Sequence, residues 1–265
     1  MAQTFHFKVD NGDMALVELE TGRRILIDIN IRVAADDDDD HETPDVASQL
    51  RKMLSRDEKG RLFVDAFLLT HPDEDHIRGL ERHFHLGPLS EWKKADDRIV
   101  IREMWSSPVI FRRRSRIHKL CPDAQAWATE ARRRVALFRK NGSLGDGDRI
   151  LVLGEDIDGK TDDLDGILVR TGETFAAVDG IEDEIFDAFL LAPLDASDDE
   201  EEDLLSKNNS SVILQMRLGA GGKDDAAYYI FGGDAEVAIW ERLWGAHKHD
   251  PYALVYDVLV SPHHC

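Results

Sequence analysis

A short polar motif contains four side chains that can bind a metal ion. His71, Asp73, Asp75 and His76 lie within six residues of one another, directly after an apolar run. Zinc accepts imidazole and carboxylate ligands together, and harder divalent cations prefer carboxylate oxygen. We therefore predict a divalent-metal site at this motif.

The residues around this motif predict a strand, a loop and a helix. Residues 64–70 have the apolar character of a buried strand, and a helix is predicted to begin at residues 77–80. The four side chains would then lie on a strand-to-helix loop, where a rigid scaffold can direct them at one point.

Two later strand ends carry further ligand types. Asp234 follows a predicted strand at residues 228–231, and His263 and His264 follow another at residues 257–260. Taken alone, a Gly-Asp pair after a strand is usually a turn. Because three strand ends supply acids and histidines in this order, we expect their side chains to share one metal site.

The rest of the chain has the pattern of a mixed α/β protein. Further strands are predicted at residues 5–9, 15–19, 24–29, 99–105, 149–153 and 186–191, of which the second and third form a hairpin. Helices are predicted at residues 45–55, 124–139 and 236–244. Strands and helices mixed in this way favour helices packed on a sheet.

The length and composition of the chain limit the classes of protein to which it can belong. A chain of 265 residues that is 42% hydrophobic can bury a sizeable core, and we favour a single domain over residues 1–265. No apolar run approaches the roughly 20 residues that span a bilayer, so no membrane association is expected. The first six residues lack a secretory signal, and two cysteines make no disulfide framework, which predicts a cytoplasmic protein.

The net charge of -20 argues against a surface that binds nucleic acid everywhere, but the sign of the charge changes along the chain. Residues 98–140 carry about twelve basic and about three acidic side chains, within a basic insertion predicted at about 88–148. One interpretation is a solvated helix face, with residues 132–134 on its outer side. The other is a lip that binds an anionic substrate through Arg112, Arg113 and Arg114, because the guanidinium fork suits phosphate.

The motifs also resemble those of a known family. His71-Pro72-Asp73-Glu74-Asp75-His76 resembles the His-x-His-x-Asp-His signature of the metallo-β-lactamase fold superfamily, with aspartate at the second histidine. Residues 208–212, 233–234 and 261–264 resemble later motifs of the subgroup that includes the C-terminal domain of the competence protein ComEC. Residues 12–15 and 25–28 resemble the first hairpin of that subgroup.

The resemblance implies an αββα sandwich of two packed mixed sheets flanked by helices, with metals at one edge. It implies two metal positions, with His71 and Asp73 in the first, Asp75, His76 and His263 in the second, and Asp234 bridging them. Asp75 and His264 are then the candidate catalytic residues, His264 as a proton donor or outer contact. One or two divalent ions are expected, zinc first, with manganese or magnesium as alternatives.

Two departures from the family pattern leave the metal count open. Asp73 replaces a histidine, and residues 208–210 offer asparagine and serine where a third histidine of the first position is expected. Asn209 and Ser210 are instead candidate substrate contacts. The chain also stops at Cys265, earlier than the family pattern, which predicts either a truncated chain or one completed by a protein partner or a second copy.

The leading hypothesis is a metal-dependent hydrolase that acts on a phosphodiester or nucleic acid through a metal-activated water. An amide, ester or thioester hydrolase of the same fold is the first alternative. A binding or regulatory subunit with weak catalysis is the second, motivated by the missing histidine.

Overall fold

The computed structural model describes residues 1–36, 42–111, 120–157, 159–194, 208–219, 221 and 225–263. Within these ranges it contains two main β-sheets and five α-helices, so the predicted mixed α/β class is confirmed. The helices are α1 (Val46–Met53), α2 (Glu74–Ile77), α3 (Leu80–His83), α4 (Pro122–Asn141) and α5 (Val237–His247).

The larger sheet has eight strands in the described part of the chain. They are β1 (Gln3–His6), β2 (Ala15–Glu18), β3 (Arg24–Ile27), β5 (Phe63–Leu69), β6 (Phe84–His85), β7 (Ile99–Ser106), β8 (Arg149–Leu153) and β9 (Leu168–Val169). Strands β1 to β3 are antiparallel, whereas β3, β5, β7, β8 and β9 run parallel in that order. The carboxyl ends of the parallel strands therefore meet at one edge.

The second sheet has five strands in the described ranges. They are β10 (Thr174–Phe175), β13 (Phe186–Ala192), β14 (Ile213–Leu218), β15 (Ala227–Phe231) and β16 (Val258–Val260), adjacent in that order. Only β15 and β16 pair in parallel. Three short strands lie outside the two sheets: β4 (Ile29–Asn30), β11 (Ala177–Val178) and β12 (Ile181–Glu182).

Three apolar clusters hold these elements together. One buries Phe67 of the larger sheet against Trp127 of α4, with ring centroids 5.0 Å apart. A second joins Leu68 of the larger sheet to Leu214 of the other, and a third packs the second sheet on α5 through Ile239. The two sheets therefore pack face to face, and helices cover their outer faces.

Residues 88–148, predicted as an insertion, supply β7 and α4 to this framework. Arg134 of α4 is fully buried and donates to the Glu130 carboxylate at 2.8 Å, to the Ile101 carbonyl at 3.0 Å and to the Arg149 carbonyl at 2.9 Å. The prediction that residues 132–134 lie on the outer face of the helix is therefore wrong for Arg134. Its guanidinium instead donates hydrogen bonds to carbonyls of the sheet. The pattern of polar and apolar residues along the helix does not reveal these partners.

The neighbouring arginines are also tied to internal partners. Arg133 bonds the Glu130 and Asp148 carboxylates at 2.6 and 2.7 Å, and the Arg132 Nε donates to the Ile110 carbonyl at 2.8 Å. These side chains fix α4 and the segments beside it.

The helix after the metal motif differs from its prediction. Glycine at position 79 has φ of 96°, and it separates α2 from α3. A Cβ atom there would lie 2.9 Å from both the carbonyl oxygen and the Cβ of Ile31, so glycine is required for this close approach. Within the described residues, the structure contains no helix long and apolar enough to cross a membrane.

Candidate metal centre

Four strand ends converge at one edge of the two packed sheets. Asp28 follows β3, His71 and His76 follow β5, Asp234 follows β15, and His263 follows β16. Parallel pairing aligns the carboxyl ends of β3 and β5, and those of β15 and β16. The structure thus brings together the histidines and the aspartate that the sequence placed at separate strand ends.

Asp234 lies at the centre of the group. Its carboxylate is buried, with Oδ2 3.2 Å from His76 Nε2 and 3.6 Å from His71 Nε2, and Oδ1 3.3 Å from His263 Nδ1. Asp73 Oδ2 is 3.9 Å from His71 Nε2. Asp234 is therefore within reach of the ligand atoms expected for both metal positions, while the number of ions stays a prediction.

The loop that carries Asp234 is held tightly against the end of β5. Gly233 has φ of 50°, and a Cβ atom on it would lie 2.9 Å from Ser211 Oγ and 3.0 Å from Thr70 Cβ. Ser211 Oγ accepts a hydrogen bond from the backbone N–H of Asp234 at 3.1 Å. This packing fixes where the carboxylate of Asp234 points.

Asp28 belongs to the candidate site, although the sequence analysis did not single out its side chain. Its carboxylate is buried, lies 2.7 Å from His76 Nδ1, and accepts from the Thr70 N–H at 2.8 Å and the Thr70 hydroxyl at 2.5 Å. Thr70 Oγ1 is in turn 3.2 Å from His71 Nδ1. Nδ1 of His71 contacts Thr70 and Nδ1 of His76 contacts Asp28, so the Nε2 atom of each ring faces Asp234. Contacts of this kind orient histidines in metal sites.

The pKa values at the site reflect its concentration of negative charge. Burial alone would lower the pKa of His76, but Asp28 and Asp234 outweigh it and raise that pKa to about 11. Burial, with Asp28 adding to it, raises the pKa of Asp13 to about 6. The site therefore favours bound positive charge.

Asp13 joins the group from the loop before β2 and was also missed. Ligand atoms of Asp13, His76, Asp234 and His263 all lie within 4.8 Å of one another. Asp75 lies to one side, with its Oδ2 3.2 Å from His263 Nε2. The sequence signal for Asp13 was the predicted hairpin of residues 15–19 and 24–29. A hairpin places the loop before its first strand beside the end of its second strand.

The donor set suits a divalent cation. Imidazole nitrogens from two strand ends and carboxylates from two other segments meet in a pocket whose side chains are buried or half-buried. Buried carboxylates of this kind require pairing or a metal ion, and mixed nitrogen and oxygen ligands are accepted by zinc and manganese.

The remaining predicted site residues lie elsewhere or outside the described part of the chain. Asn209 and Ser210 are buried; Asn209 Oδ1 accepts from the Glu236 N–H, and its Nδ2 donates to the Glu236 carboxylate, both at 3.1 Å. Asn209 thus holds the first turn of α5, and a substrate contact from either residue stays a prediction. The candidate substrate arginines and the candidate proton donor are not among the described residues: Arg112, Arg113, Arg114 and His264.

A small open pocket of about 70 Å³ lies beside the cluster. Asp13, Asp28 and Thr70 belong to its wall, so the pocket and the candidate metal site share residues. Most of its other side chains are apolar: Phe7, Met14, Ala15, Ile27, Phe231 and Val260. A group attached to a reacting centre could occupy this space.

No protein-family model matches this chain, and no curated protein matches it significantly in sequence. Its function must therefore be inferred from the geometry and chemistry of the site.

Proposed function

We propose that this chain is a metal-dependent hydrolase of the metallo-β-lactamase fold that acts on phosphodiesters. The observation that carries the proposal is the convergence of His71, His76, Asp234 and His263 from separate strand ends. The face-to-face sheets with helices outside them support the fold assignment. Fold alone does not determine the substrate.

A divalent cation at this site would lower the pKa of a bound water and polarise a phosphoryl or carbonyl oxygen. The protein's own residues prepare the ligands. Asp28 lies 2.7 Å from His76 Nδ1, where its carboxylate can accept a hydrogen bond from that nitrogen, and this directs Nε2 towards Asp234, where a cation would take the place of the Nε2 proton. Asp75, 3.2 Å from His263 Nε2, is placed to orient that ring and to exchange a proton with it.

An acyl substrate is the second candidate, and the pocket favours it. Side chains such as Phe7, Ile27 and Phe231 are apolar, so they suit an apolar group and provide no charge for an anion. Arg133 and Arg134 already have internal partners. An amide, ester or thioester could place an apolar group there. A phosphodiester would bind its anion through the metal and through the segment that holds Arg112 to Arg114.

A substrate panel with matched variants tests these proposals. Metal-reconstituted protein would be assayed on a generic phosphodiester, on single- and double-stranded nucleic acid, and on ester, amide and thioester substrates. We expect phosphodiester turnover that His76→Ala lowers at least about 100-fold. The control His85→Ala should retain it, since His85 Nε2 contacts the Pro88 carbonyl and His85 pairs with the amino end of β7, at the edge of the sheet opposite the ligands.

Activity confined to the acyl substrates would replace the leading proposal with the second candidate. Absence of metal-dependent turnover on the whole panel would contradict both.

A further inference from the structure

We propose that Asp13 is a metal ligand, and that with His76, Asp234 and His263 it forms a site for an octahedral divalent cation of the manganese class. This rests on the proposed function in requiring a bound metal ion. The proposal goes beyond that function by assigning Asp13 as a ligand, whereas the sequence analysis included this residue only in the resemblance of residues 12–15 to a hairpin.

The N-terminal hairpin delivers Asp13 to the site. Ala15 of β2 pairs with Ile27 of β3 in antiparallel register. Asp13 stands two residues before Ala15 and Asp28 follows Ile27 directly, so both carboxylates leave the hairpin at the same edge. One of them holds His76 from behind, and the other enters the ligand group.

The loop that carries Asp13 is fixed against α2. Gly12 has φ of 97°, and a Cβ atom on it would overlap the backbone oxygen of Asp75 and lie 2.9 Å from Asn30 Nδ2. The same Asn30 amide donates to the carbonyl of Asn11. A side chain at position 12 would therefore displace the loop, and Asp13 with it.

The separations of the four ligand atoms are close to those of a coordinated ion. At metal–ligand distances near 2.1 Å, ligands lie about 3.4 Å apart in a tetrahedron, and about 3.0 or 4.2 Å apart in an octahedron. The four atoms here lie within 4.8 Å of one another. Shifts below about 1 Å would bring them to coordination distances.

His263 distinguishes the role of Asp13 from that of Asp75. The ring Nδ1 faces the ligand group, 3.3 Å from Asp234 Oδ1 and 4.0 Å from Asp13 Oδ2. Asp75 contacts the opposite nitrogen, Nε2, at 3.2 Å. Asp13 therefore lies on the ligand side of the ring, and Asp75 is a positioning residue behind it.

The number of protein ligands at the site limits which metal ion can also bind water and substrate. A catalytic zinc ion keeps three protein ligands and leaves its fourth tetrahedral position to water. With Asp13 bound, a tetrahedral ion would have no position left, whereas an octahedral ion would keep two for water and substrate. Two carboxylates beside two imidazoles also suit manganese.

Manganese binding to the metal-free chain tests the role of Asp13 without reference to activity. Asp13→Asn keeps the size of the side chain and removes its charge, and we expect the Mn²⁺ affinity measured by titration calorimetry to fall at least about tenfold. Asp10→Asn is the matched control, because Asp10 lies in the same loop and pairs with Arg32 at 2.6 Å. Its Mn²⁺ affinity should equal that of the wild type.

Thermal melting separates a ligand from a structural residue. Without metal, Asp13→Asn should melt at or above the wild-type temperature, because it removes one carboxylate from a crowded group. Mn²⁺ should raise its melting temperature less than that of the wild type. Unchanged Mn²⁺ affinity, or destabilisation of the metal-free variant, would overturn the role of Asp13 and leave the hydrolase proposal intact. A wild type that binds neither Mn²⁺ nor Zn²⁺ would overturn both.

Discussion

At the scale of single residues, the candidate metal site contains a buried carboxylate, Asp28, behind the proposed ligands. Asp28 contacts Thr70 and His76, and through the Thr70 hydroxyl it also fixes His71. Its backbone has φ of 51°, which aspartate and asparagine tolerate better than most residues. Position 28 therefore combines a conformational and an electrostatic requirement.

Replacing Asp28 by asparagine should weaken metal binding without unfolding the protein. Asparagine accepts the same backbone conformation, but it loses the charge that stabilises the Nδ1 proton of His76. We expect a 10- to 100-fold loss of metal affinity, measured by competition with a chelator. Asp179→Asn is the control, since Asp179 is also buried, with φ of 56°, and pairs with Arg149 instead of the site. Equal affinities for the two variants would exclude the orienting role.

The sequence indicated some site residues and missed others for a physical reason. His71 and His76 were found because their motif places four possible ligands within six residues. Asp234 and His263 were found because they follow further predicted strands after that motif, although a Gly-Asp pair alone is usually a turn. Asp28 was missed because it continues an apolar strand, where only tertiary contacts show that its carboxylate faces an imidazole. Asp13 needed the pairing register of the hairpin, which the side-chain pattern leaves ambiguous.

At the scale of elements, α4 shows how buried charge fixes a helix on a sheet. The sequence predicted a helix at 124–139 and the structure has Pro122–Asn141, because the apolar spacing that predicts a helix is local. The orientation of Arg134 was not predictable in this way. It follows from carbonyls of β7 and β8 that only the folded sheet brings together.

Truncating Arg134 should destabilise the whole domain. Arg134→Ala leaves the Glu130 carboxylate buried with Arg133 and the Gly87 N–H as its described partners, and it removes donors from carbonyls of the sheet. The free energy of unfolding should fall by about 3–5 kcal/mol in urea denaturation. Arg139→Ala, whose ion pair with Asp163 is solvent-exposed, should leave stability unchanged within error. Similar effects of both variants would contradict the anchoring role of Arg134.

At the scale of the whole molecule, the two sheets enclose a second ionisable group away from the metal centre. Glu103 is buried, and its Oε2 accepts from Trp105 Nε1 and the Asp179 N–H, both at 2.9 Å. Burial raises the pKa of Glu103 to about 7 from its usual 4.5, against the effect of these hydrogen bonds. The folded state therefore holds a proton that the unfolded chain releases.

This proton makes stability depend on pH. Between pH 4.5 and about 7 the folded state binds more protons than the unfolded state, so this contribution falls as pH rises and is constant above about 7. The total effect is on the order of 3 kcal/mol. Glu103→Gln can accept the same bonds without ionising, so it should gain stability relative to the wild type between pH 5 and 8 in urea denaturation. A difference that does not change with pH would exclude this linkage.

The claim that this chain is a metalloprotein is tested most directly by its metal content. Metal-free protein would be reconstituted with Mn²⁺ or Zn²⁺, freed of excess ion by gel filtration, and measured by elemental analysis. We predict at least about one tightly held ion per chain, since the proposed hydrolysis requires a metal-activated water. A His76→Ala, Asp234→Asn double variant should lose this ion, while His85→Ala should keep it. Wild-type protein that holds well below one ion per chain with either metal would contradict the central claim.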